Sequence, residues 1–100
     1  MKVVISPKAE EDLVDILVYS LENFGEQKAL EYLKSLKESF QNLSQNPEIG
    51  RKLDYLDLNY SVFFYNGQAV FYNFEKSLEV IRIIHESKDY MAILKNTNSA

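Results

Sequence analysis

The sequence predicts an α+β domain: two antiparallel amphipathic helices packed on one face of a small, mainly antiparallel sheet. Three observations predict it. A β-branched run, Val3-Val4-Ile5, precedes the first helix. Two long stripes of apolar residues at helical spacing are separated only by Gly25. Strand-like runs then follow, broken by the turn signals Asn66-Gly67 and Glu75-Lys76. The expected order is β-α-α-β-β-β with a short C-terminal helical turn.

Val3-Val4-Ile5 reads as the first strand. Ser6-Pro7 starts a helix, because Ser caps free backbone N–H groups and Pro suits the first helical position. Its apolar stripe is Ala9, Leu13, Ile16, Leu17 and Phe24, with Ser20 on the same line, and Gly25 ends it. A second helix spans Glu26 to Gln45 on a stripe of Ala29, Leu33, Leu36, Phe40 and Leu43, widened by Leu30 and Tyr32. Asn46-Pro47 stops it, since the residue before proline avoids the helical region. So short a connection makes the helices antiparallel neighbours.

Pro47 to Arg51 reads as a turn, and residues 52–59, with Leu53, Tyr55 and Leu58, as an irregular, partly packed loop. A strand runs from Tyr60 to Tyr65, and Asn66-Gly67 closes a type I′ hairpin onto Gln68 to Phe74. A two-residue turn sets the register. Tyr65 opposes Gln68, Phe63 opposes Val70 and Ser61 opposes Tyr72; on the other face Phe64 opposes Ala69 and Val62 opposes Phe71. Leu78 to His85 is a central strand apolar on both faces except at Arg82. Asp89 to Leu94 reads as one or two helical turns. One domain over residues 1–95 is expected, with 96–100 a frayed polar tail. A helix pair covers only one face of the sheet, so the other is expected to remain an open apolar patch, the mark of an interaction site.

Charge and composition narrow the function. The chain carries a formal charge of −4, 46% apolar residues and no cysteine. Residues 1–50 hold nine acids and five lysines, and residues 51–100 hold six of each sign. Without a dense Lys/Arg patch, nucleic acid is not the expected main partner. Absence of cysteine, of a signal-like start and of long apolar runs predicts a cytoplasmic protein with no membrane contact.

Catalytic signatures are missing. The three glycines, at 25, 50 and 67, all sit at turns, so there is no phosphate or dinucleotide loop. A lone histidine builds no multi-histidine metal site, and no cofactor or metal is expected. The acids at 10, 11, 12 and 15 are better explained as a solvated helix start than as a chelating group. His85 closes a strand, either as a hydrogen-bonded terminus or as an acid–base group. Arg82, inside an apolar strand, either meets a carboxylate or reaches out through the open face for recognition. Arg51 precedes the sheet and is placed to share a surface with Arg82.

The order of segments resembles the ParE/RelE toxins of bacterial toxin–antitoxin pairs. The resemblance is carried by Val4-Ile5-Ser6-Pro7-Lys8-Ala9-Glu10-Glu11-Asp12-Leu13, by Gly25 between the helices, and by Leu43 followed by Asn46-Pro47-Glu48-Ile49-Gly50-Arg51. Val70-Phe71-Tyr72 and Ile81-Arg82-Ile83-Ile84-His85 complete it, over about residues 3–90. The Asn-Pro-x-x-Gly-Arg step and the closing strand are closest to the ParE branch. The resemblance implies a toxin that inhibits DNA gyrase by protein binding and is neutralised by a cognate antitoxin. It makes Arg51, Arg82 and His85 target-binding residues and assigns Leu13, Leu17, Phe63, Tyr65 and Tyr72 to the antitoxin. The RelE branch implies an alternative, a ribosome-dependent messenger-RNA endoribonuclease with Arg51, Arg82, His85 and Tyr90 as catalytic candidates. A third reading is a degenerate, non-toxic partner-binding member. Two departures remove positive charge: Gly67 and Gln68 stand where many ParE-like chains carry a basic residue and a histidine, and Glu86 follows His85 in place of a small residue. Strand alternation also sets Arg82 and His85 on opposite faces, against joint catalysis.

Overall fold

The chain runs β1 (Lys2–Ile5), α1 (Pro7–Phe24), α2 (Glu26–Gln45), β2 (Arg51–Lys52), β3 (Ser61–Tyr65), β4 (Gln68–Phe74), β5 (Ser77–His85) and α3 (Tyr90–Asn98). This is a computed structural model that describes residues 1–53 and 59–98. The expected loop positions Tyr55 and Leu58 lie outside the described residues.

Ser6 makes the first junction. Its Oγ accepts the Ala9 N–H at 3.0 Å as the cap of α1, and donates to the Ile81 carbonyl at 2.9 Å. One hydroxyl thus ties the helix start to β5. Gly25 then serves as the C-terminal cap of α1 and the N-terminal cap of α2, at φ +87° and ψ 171°. That backbone conformation is essentially confined to glycine. A single 3₁₀ turn, Pro47–Ile49, follows α2.

The sheet order is β1-β5-β4-β3-β2, with β1 parallel to β5 and every other pair antiparallel. Asn66 (φ 45°) and Gly67 (φ 85°) both take positive φ, and the hairpin register is the one a two-residue turn dictates, from Tyr65↔Gln68 to Ser61↔Tyr72. Between β4 and β5 the register shifts: Phe71 pairs with Arg82 but Tyr72 pairs with Val80. Ile81 is the extra residue of a bulge. The shift lets Leu78, Val80 and Ile83 all join the core beneath α1 and α2.

That core also holds Leu13, Leu36, Phe40, Leu43, Val70 and Tyr72. The opposite face of the sheet is not the open patch that the sequence suggests. Leu53, Val62, Ala69, Phe71, Ile84 and Leu94 form a second core there, with Tyr60, Tyr90, Met91 and Ile93 packed against it. The cover is α3, nine residues long rather than one or two turns, and continuing through Asn98, past the expected boundary at 95. Tyr90, Met91, Ile93 and Leu94 fall close together on a helix, and Leu94 is fully buried. The Tyr90 ring meets Phe71 at 5.7 Å and Phe64 at 6.1 Å.

Candidate interaction site

The turn after α2 is built around one phenol. Tyr72 is wholly buried; its hydroxyl donates to the Pro47 carbonyl at 2.6 Å and accepts the Gly50 N–H at 3.1 Å. A Cβ on Gly50 would overlap the phenol oxygen. The Asn46-to-Arg51 step and the Val70-Phe71-Tyr72 strand, separate in sequence, are therefore two halves of one clasp. Burial raises the Tyr72 pKa, partly opposed by the hydrogen bonds from Gly50 and Ser61, so the phenol stays neutral. The clasp delivers Arg51 to β2 at the sheet edge.

Arg51 and Arg82 occupy the ends of one cross-strand row, Arg51–Val62–Phe71–Arg82. Three interstrand steps separate them by roughly 14 Å. Arg51 is exposed. Arg82 instead turns to α1, where its Nε donates to Asp12 Oδ2 at 2.8 Å and its Nη2 to Oδ1 at 2.9 Å. Asp12 Oδ2 also accepts the Ile83 N–H at 2.9 Å. The two side chains are 13% and 10% exposed. Asp12 is therefore no part of a solvated helix start: it is a buried anchor between α1 and β5. Its signal was in the sequence, because position 12 lies on the stripe Ala9–Leu13–Ile16.

His85 pairs with Gln68, so it sits on the sheet face of Val70 and the helices, opposite to Arg82 in register. Its Nδ1 accepts the Ser87 N–H at 3.1 Å and lies 2.6 Å from Ser87 Oγ. Its Nε2 stands beside Gly67. Tyr90 is packed against Phe71 and Phe64. The four candidates for RNA cleavage, Arg51, Arg82, His85 and Tyr90, are thus not brought together.

The candidates for partner binding divide similarly. Leu13 and Tyr72 belong to the core and have almost no accessible surface, so no partner reaches them while the fold is intact. Phe63 and Tyr65 are half-buried against the same core. Leu17 is half-buried and accessible, within a groove of about 600 Å³ between α1 and α2. Leu13 and Leu33 also line it, together with Val14 and Leu30, which are 58% and 53% exposed. Val14 went unread in the sequence, although Val14, Leu17, Val18 and Leu21 form a second apolar stripe on α1. Among the described residues no group of His, Cys, Asp and Glu is arranged to hold a metal ion. No described helix is long and apolar enough to cross a membrane.

Residues 3–90 match the model of the ParE toxin of the type II toxin–antitoxin system parDE. The chain belongs to the ParE toxin family. Toxin ParE1 of Caulobacter vibrioides is 29% identical over 90 residues, covering 90% of this chain and 94% of that one. Toxin ParE1 of Mycobacterium tuberculosis is 28% identical over 87 residues, covering 85% and 89%. A chain of the chromosomal ParDE toxin–antitoxin system from P. aeruginosa has the same fold, with a TM-score of 0.74 at 20% identity over 85% of this chain and 95% of that one. So does a chain of the M. tuberculosis toxin–antitoxin complex RelBE2, with a TM-score of 0.64 at 17% identity over 85% and 96%. The ParE family match ends at residue 90, where α3 begins.

Proposed function

We propose that this ParE-family toxin acts by binding a protein target, DNA gyrase, and is held inactive by a cognate antitoxin seated in the groove between α1 and α2. The observation that carries the choice of binding over RNA cleavage is the separation of the four candidate catalytic residues. General acid–base cleavage at a 2′-hydroxyl needs a base, an acid and a phosphate-stabilising cation around one phosphate. Here Arg82 is engaged by Asp12, His85 lies on the other face, and Arg51 stands across the sheet. Of the three target-binding candidates, Arg51 and His85 present exposed side chains. Arg82 is then a positioning residue that holds β5 against α1. For the antitoxin, the accessible apolar groove around Leu17 supports the reading, as do the related folds found in toxin–antitoxin complexes. A cytoplasmic location goes with such a target.

The test is supercoiling of relaxed plasmid by purified gyrase. Inhibition is expected, and it is relieved when the antitoxin encoded beside the toxin is added. Unaffected supercoiling at excess toxin refutes the target. Induced expression of the chain alone is expected to give filamentous cells, a DNA-damage response and continuing translation. A rapid stop in translation with cut transcripts would establish the ribonuclease reading instead, and normal growth a non-toxic member.

A further inference from the structure

We propose that the groove between α1 and α2 selects its occupant by charge: it takes an amphipathic helix of a partner protein whose apolar stripe is flanked by acidic residues on the α2 side. The inference deepens the antitoxin reading and rests on it for the identity of the partner. It stands on how the charges around the groove are laid out.

Because α1 and α2 are antiparallel and joined through Gly25, the groove has a closed end and an open end. Leu30 and Leu17 lie toward the closed end, and Glu10 and Glu38 toward the open one. Between them, Lys34 and Lys37 line the α2 wall, both exposed. Three residues apart on a helix, they are neighbours on one face. Lys34 also has Glu31 and Glu38 at helical pairing distance in sequence. Yet among the described residues neither lysine forms an ion pair, whereas Lys8 and Glu11 on α1 do, at 3.6 Å. Two ammonium groups therefore border an apolar trough with their charge unspent inside the chain.

An amphipathic helix fits such a trough by laying its apolar face along Val14, Leu17, Leu30 and Leu33. Acidic residues spaced three or four apart on its flank then meet Lys34 and Lys37 at once. A basic residue about one turn further on meets Glu10 and Glu38. The opposite pattern sets like charges together at every one of these positions, which is how such surfaces reject wrong partners.

The probe is a pair of synthetic helical peptides with identical leucine stripes and glutamine elsewhere, carrying two glutamates or two lysines only at the positions that face Lys34 and Lys37, titrated against the full chain by fluorescence anisotropy. The glutamate peptide is expected to bind roughly tenfold more tightly at low salt, the scale of two rim ion pairs. The gap is expected to narrow as salt is raised. The double variant K34E/K37E is expected to reverse the preference, and L17D to abolish binding of both peptides, with circular dichroism confirming that each variant is folded. Equal affinities, tighter binding of the lysine peptide, or no binding of either would overturn the proposal. So would a dimer of the chain in sedimentation that L17D splits, which would give the groove to a second copy. The antitoxin does not take part in this assay. If the adjacent antitoxin fails to bind the chain, the toxin–antitoxin reading falls while the peptide preference is still measured. If the antitoxin binds and the peptides are not distinguished, only the charge proposal falls.

Discussion

Replacing Asp12 with alanine tests whether Arg82 serves recognition or the fold. The carboxylate accepts three hydrogen bonds, two from the Arg82 guanidinium and one from the Ile83 N–H. Removing it takes two hydrogen bonds from a guanidinium that is only 13% exposed, and leaves a β5 amide without its partner. Breaking one side of a buried ion pair costs about 3–5 kcal/mol, and partial access to water here sets the lower end, about 3 kcal/mol. For a domain of this size that is a fall in melting temperature of roughly 10–20 °C. Urea denaturation followed by circular dichroism reads the loss for D12A, R82A and the double variant. Arg82→Ala is expected to cost as much as Asp12→Ala, with a coupling energy of about 2 kcal/mol. A coupling under about 0.5 kcal/mol, with R82A as stable as the parent, would refute the anchor and return Arg82 to the recognition surface.

Three further outcomes follow from the same contacts. Gly50→Ala is expected to cost about 2 kcal/mol by driving a methyl into the Tyr72 ring, and less in a Tyr72→Phe background; denaturation of the single and double variants reads the difference. Leu94→Ala is expected to cost about 2–4 kcal/mol and to loosen the whole of α3, read as faster amide exchange at the sheet residues it covers. Burial raises the pKa of Tyr32, Tyr60 and Tyr72 in the folded chain. Above pH about 10 the unfolded phenols lose protons that the native ones keep, so stability is whole below that pH and falls as pH rises through the folded values. Ultraviolet titration of tyrosinate against unfolding would show the order; stability unchanged across that range would contradict it.

The helices and the hairpin were legible because local chemistry decides them. Ser6-Pro7 and Asn46-Pro47 set helix ends by backbone rules, and Asn66-Gly67 allows only one register between β3 and β4. The bulge at Ile81 was not legible. It depends on the Ser6 hydroxyl reaching the Ile81 carbonyl across 75 residues of sequence, and strand periodicity does not register that contact. The full length of α3 escaped for a similar reason. Asn96, Thr97 and Asn98 are weak helix formers, and the helix is held by Leu94 in a sheet pocket made of distant residues. At the candidate site, the sequence set the candidate residues on their elements but not their burial or partners. Arg51 and His85 are exposed, which periodicity alone does not give. Leu13 and Tyr72 have the composition of a contact surface but belong to the core. Asp12 was hidden by its company, since an acid between Glu11 and Leu13 near a helix start has an easier explanation in solvent.

The unequal lengths of β1 and β5 leave an edge that a neighbouring molecule would otherwise extend. β1 has four residues and β5 nine, so β5 runs on from Ile81 to His85 with no strand beside it on that side among the described residues. An unpaired strand edge is a template for pairing between chains, and proteins blunt it with charge, bulges or covering segments. Here all three meet. The bulge at Ile81 interrupts the ladder, the Ser6 hydroxyl occupies the Ile81 carbonyl, and the Asp12 carboxylate occupies the Ile83 amide in place of a neighbouring strand's carbonyl. A helix side chain thus closes the sheet where the strand that should have done so has already ended, and that stretch of edge is unavailable for growth into aggregates when the chain stands alone.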